Sequence, residues 1–403
     1  MSEQYDLAVV GSGFSGSLLA MIARQLGLKV ALLERGRHPR VVIGESSTPL
    51  SNLLLEELAS KYSLPNIKSL TKWGSWQDSH PELACGLKRG FTFFHHTAGQ
   101  NLTLDRCNQL LVAASPHDQI ADTHWYRADV DHFFVQEAEK LGVDYIDEIE
   151  LREFANDNEI ACLRGLRKNR SIEFKARFVV DATGIRGFFH KALAFGEREL
   201  PALPATETLY SHFRGVKPIA ALRGHEIGHG PPYPVDDAAV HHVFDGGWVW
   251  ILRFNNGITS AGIAATKQLA EKVNFAEGAR AWEQILQQIP AIAEQFASAE
   301  AAQPFRYVPQ LGFRSAAISG PNWAMLPSAA GFVDPLLSTG FPLTLLGVTR
   351  LAEILEQRWG TENFNAELKR YAARTDEELL ATARLIGALY ANMNNFQLFT
   401  AVS

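Results

Sequence analysis

Residues 5–36 read YDLAVVGSGFSGSLLAMIARQLGLKVALLERG, and no other stretch of the 403-residue chain restricts the fold as tightly. Leu7 to Val10 is a short apolar run of the kind buried in a parallel sheet. It leads into Gly11-Ser12-Gly13-Phe14-Ser15-Gly16, a complete G-x-G-x-x-G. Ser17 to Leu26 then has helical apolar spacing, and a second strand, Lys29 to Leu33, ends at Glu34 with Arg35 beside it. Each part has a task when a dinucleotide binds. Gly11 permits the tight turn, Gly13 lets the backbone approach a pyrophosphate, and Gly16 lets helix and strand pack closely. The helix N-terminus around Phe14 and Ser15 offers free N–H groups to the phosphates. Glu34 is placed to accept bonds from the adenosine ribose hydroxyls.

Two further segments select among dinucleotides. In Arg177-Phe178-Val179-Val180-Asp181-Ala182-Thr183-Gly184-Ile185-Arg186-Gly187 a strand ends at Asp181, with Gly184 in the following turn. In SAAGFVDPLLSTG, residues 328–340, Gly331 and the pair Asp334-Pro335 lead towards a helix expected near Ser338, with Thr339 and Gly340 following. Three distant segments converging on one ligand suit FAD held along its whole length better than NAD.

The remaining pattern organises the chain. Residues 200–265 alternate as strands (TLYSHFRGV, AAVHHVF, WVWILRF, ITSAGIAAT) with turns such as Asn255-Asn256-Gly257, so an antiparallel sheet is expected. Within it GGWVWILRF places Trp248 and Trp250 on one strand face. Helices are expected over about 266–300, and two more between 343 and 398, separated by Gly360 and Asn363. The expected fold is α/β: a Rossmann-like FAD-binding domain over 1–60, 120–195 and 305–345, a substrate-binding sheet region over 61–119 and 196–304, and a C-terminal helical region over 346–403. A net charge of −6 without a Lys/Arg run argues against a nucleic-acid partner. The three cysteines, Cys85, Cys107 and Cys162, form no C-x-x-C pair, so no metal site is expected and each reads as a small apolar side chain. No apolar run reaches the ~18 residues of a membrane span and the first strand begins by about residue 5, so a cytoplasmic protein without a signal peptide is expected.

Several motifs together resemble the flavin-dependent halogenases, a branch of the FAD monooxygenases with the p-hydroxybenzoate hydroxylase (glutathione reductase-type) fold. Ile43 to Pro49, IGESSTP, is similar to the family's flavin strap, which implies cofactor contacts at Ser46 and Ser47. CGLKRGFTFF resembles the segment holding the family's catalytic lysine, and Lys88 falls on that position. HWYRADVDHFF is similar to a segment whose arginine, Arg127 here, contacts the cofactor. DATGIRG matches D-x-(S/T)-G-x-R-G, and GGWVWILRF resembles W-x-W-x-I-P. DPLLSTG resembles the loop that puts Pro335, Ser338, Thr339 and Gly340 by the flavin ring and halide. The chain also departs from the family. Leu252 and Arg253 stand where the signature has isoleucine and proline, and Pro327-Ser328 replaces Gly-Asp. Leu337 occupies the position of the tryptophan-type glutamate. These departures place the chain nearer to phenol- and pyrrole-type members.

The resemblance implies that reduced FAD from a separate flavin reductase, O2 and halide yield hypohalous acid. Lys88 then delivers the halogen to an electron-rich aromatic, free or carrier-bound. A lysine suits this because its ammonium polarises the oxidant and its free amine captures halogen. Apolar neighbours Leu87 and Phe91 are compatible with partial burial; a solvated lysine beside Arg89 is the alternative. Without the glutamate, a phenol or pyrrole, which needs less help losing its proton, is favoured. The two tryptophans would belong to the wall between flavin and substrate, with plain core packing the alternative. A monooxygenase hydroxylating an aromatic, possibly peptide- or protein-bound, is the alternative function. His95 and His96, adjacent in a strand, are expected to point to opposite sides.

Overall fold

The computed structural model describes residues 4–101, 107–157, 160–222 and 231–403. The apolar strand Gln4–Val10 sits centrally in a parallel sheet, between Val30–Leu33 and Arg170–Asp181. Trp323–Met325 extends the sheet beyond Arg170–Asp181, and Asp144–Ile146 extends it beyond Val30–Leu33. Strands with both faces covered read as continuous apolar runs, which is why Leu7–Val10 and Val30–Leu33 carry no alternation. The helix Phe14–Gln25 is buried from Phe14 to Ala23 because it packs on this sheet and against the helices Arg127–Lys140 and Gly340–Arg358. The outer half of Arg170–Asp181 runs on into an antiparallel pairing with Ile160–Arg167, and then Ile149–Asp157.

The second sheet has the order Glu300–Ala301, Thr206–Arg214, Thr259–Thr266, Gly247–Arg253, Ala239–Phe244, Gly90–His95, Gln109–Ala113, with Arg306–Val308 also on Thr206–Arg214. It is mixed rather than antiparallel throughout, because Ala239–Phe244 runs parallel to Gly90–His95. A hairpin forces neighbouring strands antiparallel. These two strands are joined by a long excursion through the rest of the fold, and such a crossover allows the parallel pairing. Alternation decides which core each residue enters. Val249 and Ile251 pack with Trp282, Ile285 and Ile292 beneath the helices Ala279–Gln288 and Pro290–Phe296. Trp248, Trp250 and Leu252 face the other way, with Phe93 and with Leu379 and Ile386 of the helix Phe364–Ala391. The break before that helix falls at Gly360, whose φ of 71° is open to glycine.

A two-stranded ribbon joins the halves. Cys85–Lys88 pairs antiparallel with Asp122–Trp125, and the strap residues lie along it through a Ser46–His124 bridge and the Ser47 N–H to the Thr123 carbonyl (3.1 Å). Arg253 keeps its place in the ladder opposite Thr259. Its guanidinium turns outward to Asp236 (3.1 Å) and the Val216 carbonyl (2.9 Å), so the charge that replaces proline pins the loops around 216 and 236. Cys85 and Cys162 are buried as expected, whereas Cys107 is exposed. Among the described residues no helix is long and apolar enough to cross a membrane, and no cluster of three or more His, Cys, Asp or Glu could hold a metal.

Candidate active site

A cavity of about 760 Å³ opens between the two sheets. Gly11, Gly13, Phe14, Ser15, Glu34, Arg35, Ser46, Arg127, Gly184, Gly331, Asp334, Pro335, Ser338, Thr339, Gly340, Trp248 and Trp250 all line it. Gly16, Ser47, Asp181 and Lys88 do not. Gly16 instead packs so closely that a Cβ would collide with the Gly11 carbonyl. Asp181 is buried behind the wall, where its carboxylate accepts the Thr183 N–H (2.9 Å) and the Phe189 N–H (2.7 Å). It shapes the 183–189 loop rather than meeting a ligand. Ser47 exchanges hydrogen bonds with Thr123, its Oγ donating to the carbonyl (2.9 Å).

At the glycine-rich end, Gly11 has φ 101° and a Cβ there would sit 2.7 Å from the Ala182 carbonyl. Gly13 is open: a Cβ would meet nothing nearer than Arg127 Nη2 at 3.4 Å, leaving space for a phosphate. One expectation changes here. The Phe14 N–H, expected to serve phosphate, is donated to Asp131 Oδ1 (3.1 Å), and its ring stacks on Phe341 at 4.5 Å. The Glu34 carboxylate, on the cavity wall as expected, is held in place by the N–H and hydroxyl of Ser12 (3.1 and 2.9 Å) and Arg40 (3.2 Å) on Oε2 and by the Gly36 N–H (2.8 Å) on Oε1. Those positive and N–H partners outweigh desolvation and hold its pKa below the usual carboxylate value. Arg127 grips Asp131 with two N–H donors (2.8 and 2.9 Å) and donates to the Gly44 carbonyl (2.8 Å), tying strap to helix. Asp131 and Arg40 were not singled out from the sequence. The i,i+4 spacing of Arg127 and Asp131 was the available signal for one of them.

The residues present suit FAD. The wall carries Arg35, Arg40, Arg127, Arg152, Arg186, Lys191 and Arg306 against Glu34, Glu45 and Asp334, an electropositive lining in a chain of net charge −6. The buried Ser46 Oγ faces this space with no partner of its own. An elongated anionic dinucleotide supplies what such a wall lacks.

The loop 334–340 closes the far end. The expected helix begins at Gly340, after a single tight turn over Leu336–Ser338 in which Leu337 and Ser338 take φ of 60° and 55°. Two non-glycine residues in the left-handed region are strained, and such strain is held where the surroundings overdetermine it. Asp334 is one such restraint. It accepts the Leu336 N–H (3.0 Å) and the Tyr390 hydroxyl (3.0 Å), which in turn accepts from Trp248 Nε1 (3.2 Å). Burial pushes its carboxyl up to about 7, against those donors. Because the folded pKa is raised, its stabilising contribution is full below the unfolded carboxyl value near ~4 and is lost as the pH climbs to about 7. Asp334→Asn is expected to remove that part of the fall in stability between pH 4 and 7, read from urea midpoints of both proteins across the range. Parallel curves would overturn the assignment.

Lys88 is fully buried, not solvated, and stands outside the cavity. Its Nζ donates to the Ser47 carbonyl and lies 4.1 Å from the centre of the Phe91 ring. The ribbon register sets Lys88 opposite Asp122 and Gly86 opposite His124, so Lys88, Asp122 and His124 share one face. Burial pulls the lysine down to about 8, with Asp122 opposing, while Asp122 is itself raised by burial. His124 and His241 are pulled down to about 3 by burial, with Lys88 adding to the effect. His241 lines the cavity and stacks 5.0 Å from Trp248, whose ring is 5.7 Å from Trp250. His95 and His96 do diverge: one meets the Met393 carbonyl (3.2 Å), the other the buried His242 (2.8 Å).

Comparison with known proteins bears on this arrangement. The family model described as Tryptophan halogenase matches residues 113–397. The monodechloroaminopyrrolnitrin halogenase PrnC of Pseudomonas fluorescens is 28% identical over 99% of this chain and 70% of that protein. The tetracycline 7-halogenase of Kitasatospora aureofaciens is 25% identical over 99% and 72%. The 1H-pyrrole-2-carbonyl-[peptidyl-carrier protein] chlorinase of Pseudomonas fluorescens is 25% identical over 85% and 74%. Among solved structures, the halogenase PltM in complex with phloroglucinol and FAD superposes with a TM-score of 0.87 at 23% identity, over 99% of this chain and 79% of that one. That likeness establishes the fold.

Proposed function

Because the chain belongs to the flavin-dependent halogenases, whose family model covers residues 113–397, we propose that it halogenates an electron-rich phenol or pyrrole through Lys88. The observation that carries this reading is the position of Lys88. It is an amine buried completely and softened to about 8 that stays off the wall of the electropositive cavity, with the Phe91 ring beneath it and His241, which does line the cavity, 5.6 Å from that ring. Reduced FAD, supplied by a separate flavin reductase, would furnish with O2 and halide the hypohalous acid. The chain's own residues do the rest. Gly13, Arg40 and Arg127 would hold the diphosphate, Glu34 the ribose, and Ser338 to Gly340 the halide end. Asp334 and Tyr390 keep that loop in its strained form. At neutral pH part of Lys88 is unprotonated, so its lone pair can take up the halogen. The tryptophan layer keeps an aromatic substrate away from the flavin space, which suppresses direct hydroxylation.

Leu337 in place of a carboxylate supports a phenol or pyrrole, since such rings need less base assistance. The names of the relatives agree: they act on a pyrrole held by a carrier protein, on tetracycline and on an aminopyrrolnitrin. The direct test is mass spectrometry of phloroglucinol, simple phenols and free or carrier-bound pyrrole-2-carboxylate, incubated with enzyme, a flavin reductase, NADH, FAD, O2 and bromide or chloride. The expected result is a gain of halogen with its isotopic doublet, absent without the reductase. A gain of one oxygen would overturn the reading in favour of hydroxylation.

A further inference from the structure

Lys88 and the cavity do not meet, so anything passing between them crosses the layer that separates them. Among the described residues, Asp122, His124 and His241 feel the charge of Lys88. Of these His241 is the one on the cavity wall. The parallel register sets Ala239 beside Phe91 and His241 beside Phe93. The imidazole lies 5.6 Å from the Phe91 ring, over which the Lys88 amine sits, and 4.8 Å from Phe93, with Trp248 on its other flank at 5.0 Å. An imidazole set among three apolar rings is costly to bury, and a phenylalanine would fill the same space more cheaply. Its Nδ1–H is donated to the Ala239 carbonyl (2.9 Å), which fixes the tautomer and leaves a lone pair on Nε2. Burial keeps the ring neutral at any pH the enzyme would meet, with a pKa of about 3.

We propose that His241 relays the oxidant: its Nε2 accepts the hydrogen bond of hypohalous acid at the cavity wall and turns the halogen towards Lys88. The relay rests on the halogenase reading above. The transfer it serves is balanced. The neutral Lys88 amine attacks the halogen, an N–halogen bond forms and the O–halogen bond breaks. The oxygen keeps the electron pair, takes the proton shed by the amine and leaves as water. The halogen remains in its +1 state throughout, so no further oxidant or reductant is needed.

His241→Phe keeps the ring and removes the lone pair, whereas His241→Gln keeps an acceptor. Because His241 lines the flavin cavity, product and trapped hypohalite are compared in both at saturating FAD and per flavin oxidised. In His241→Phe product should fall by roughly tenfold or more while hypohalite caught by a soluble trap rises correspondingly. His241→Gln should lie between the two in its ratio of product to trapped hypohalite. A second measurement needs no turnover. Flavin-free protein is given one equivalent of hypobromous acid and bromination at Lys88 is read by peptide mass, with slower capture expected in His241→Phe. A wild-type product-to-hypohalite ratio in His241→Phe, or equal ratios in the two variants, would overturn the relay. If His241→Phe does not fold, an unchanged ratio in His241→Gln together with wild-type capture of bromine at Lys88 would overturn it equally. Lys88→Ala separates the two levels: product surviving that change defeats the halogenase reading, whereas product lost there but intact in His241→Phe defeats the relay alone.

Discussion

Lys88→Ala is expected to eliminate halogenated product, by at least ~10³-fold, while reduced-flavin oxidation and hydrogen peroxide release continue. The amine occupies a closed site between the Ser47 carbonyl and the Phe91 ring, and it does not line the cavity that would hold flavin. Removing the amine therefore touches the proposed halogen acceptor without touching the cavity wall. Truncation also leaves a void in a fully buried site, so Lys88→Met, closer in volume and equally without the amine, is the companion variant; its FAD affinity should equal wild type. Wild-type product formation should itself rise with pH on either side of about 8, because burial lowers the lysine and each step upward frees more amine. Undiminished turnover in both variants would mean that the halogen, or an oxygen, reaches the substrate by another route.

Gly13→Val is the second large effect: FAD affinity should weaken by about 10²-fold or more, the combined result of filling phosphate space and losing a close backbone contact. The structure makes this a cleaner experiment than its neighbours. A side chain at Gly11 or Gly16 runs into backbone, so those variants would damage the fold itself. At Gly13 the first atom stays clear of backbone, with only side-chain ends near, Arg127 at 3.4 Å and Arg40 and Asp131 at 3.8 Å. The flavin-free variant should unfold at the wild-type urea concentration while its flavin titration fails. Normal affinity in a folded Gly13→Val protein would remove the pyrophosphate from this loop.

Much of the cofactor site was legible because its logic is local. A strand, three glycines, a helix, a second strand and an acid follow one another within thirty residues, and each is chosen for what its own backbone or terminus must do. Trp248 and Trp250 share a face simply because strands alternate. Yet even here neighbours distant in sequence revised the roles. Asp131 takes the Phe14 N–H that the motif alone assigns to phosphate, Arg40 joins Glu34, and Asp181 is turned inward to hold a loop. Arg253 reads as a disruption of a proline signature until Asp236 and the Val216 carbonyl are brought to it.

Residue spacing by itself determined that this chain builds a dinucleotide cradle beside a sheet with a tryptophan-lined face and a helical C-terminal segment. Those are consequences of period, turn and glycine, which act over a few residues. Burial and electrostatic coupling were decided only by the tertiary structure, because both depend on which distant segments come together. Lys88 is a softened, enclosed amine because the 43–48 strap, the Asp122–Trp125 strand and the sheet strand of Phe91 close around it. His241 reaches both the cavity wall and the Phe91 ring over which Lys88 sits because Ala239–Phe244 crosses the fold to lie parallel to Gly90–His95.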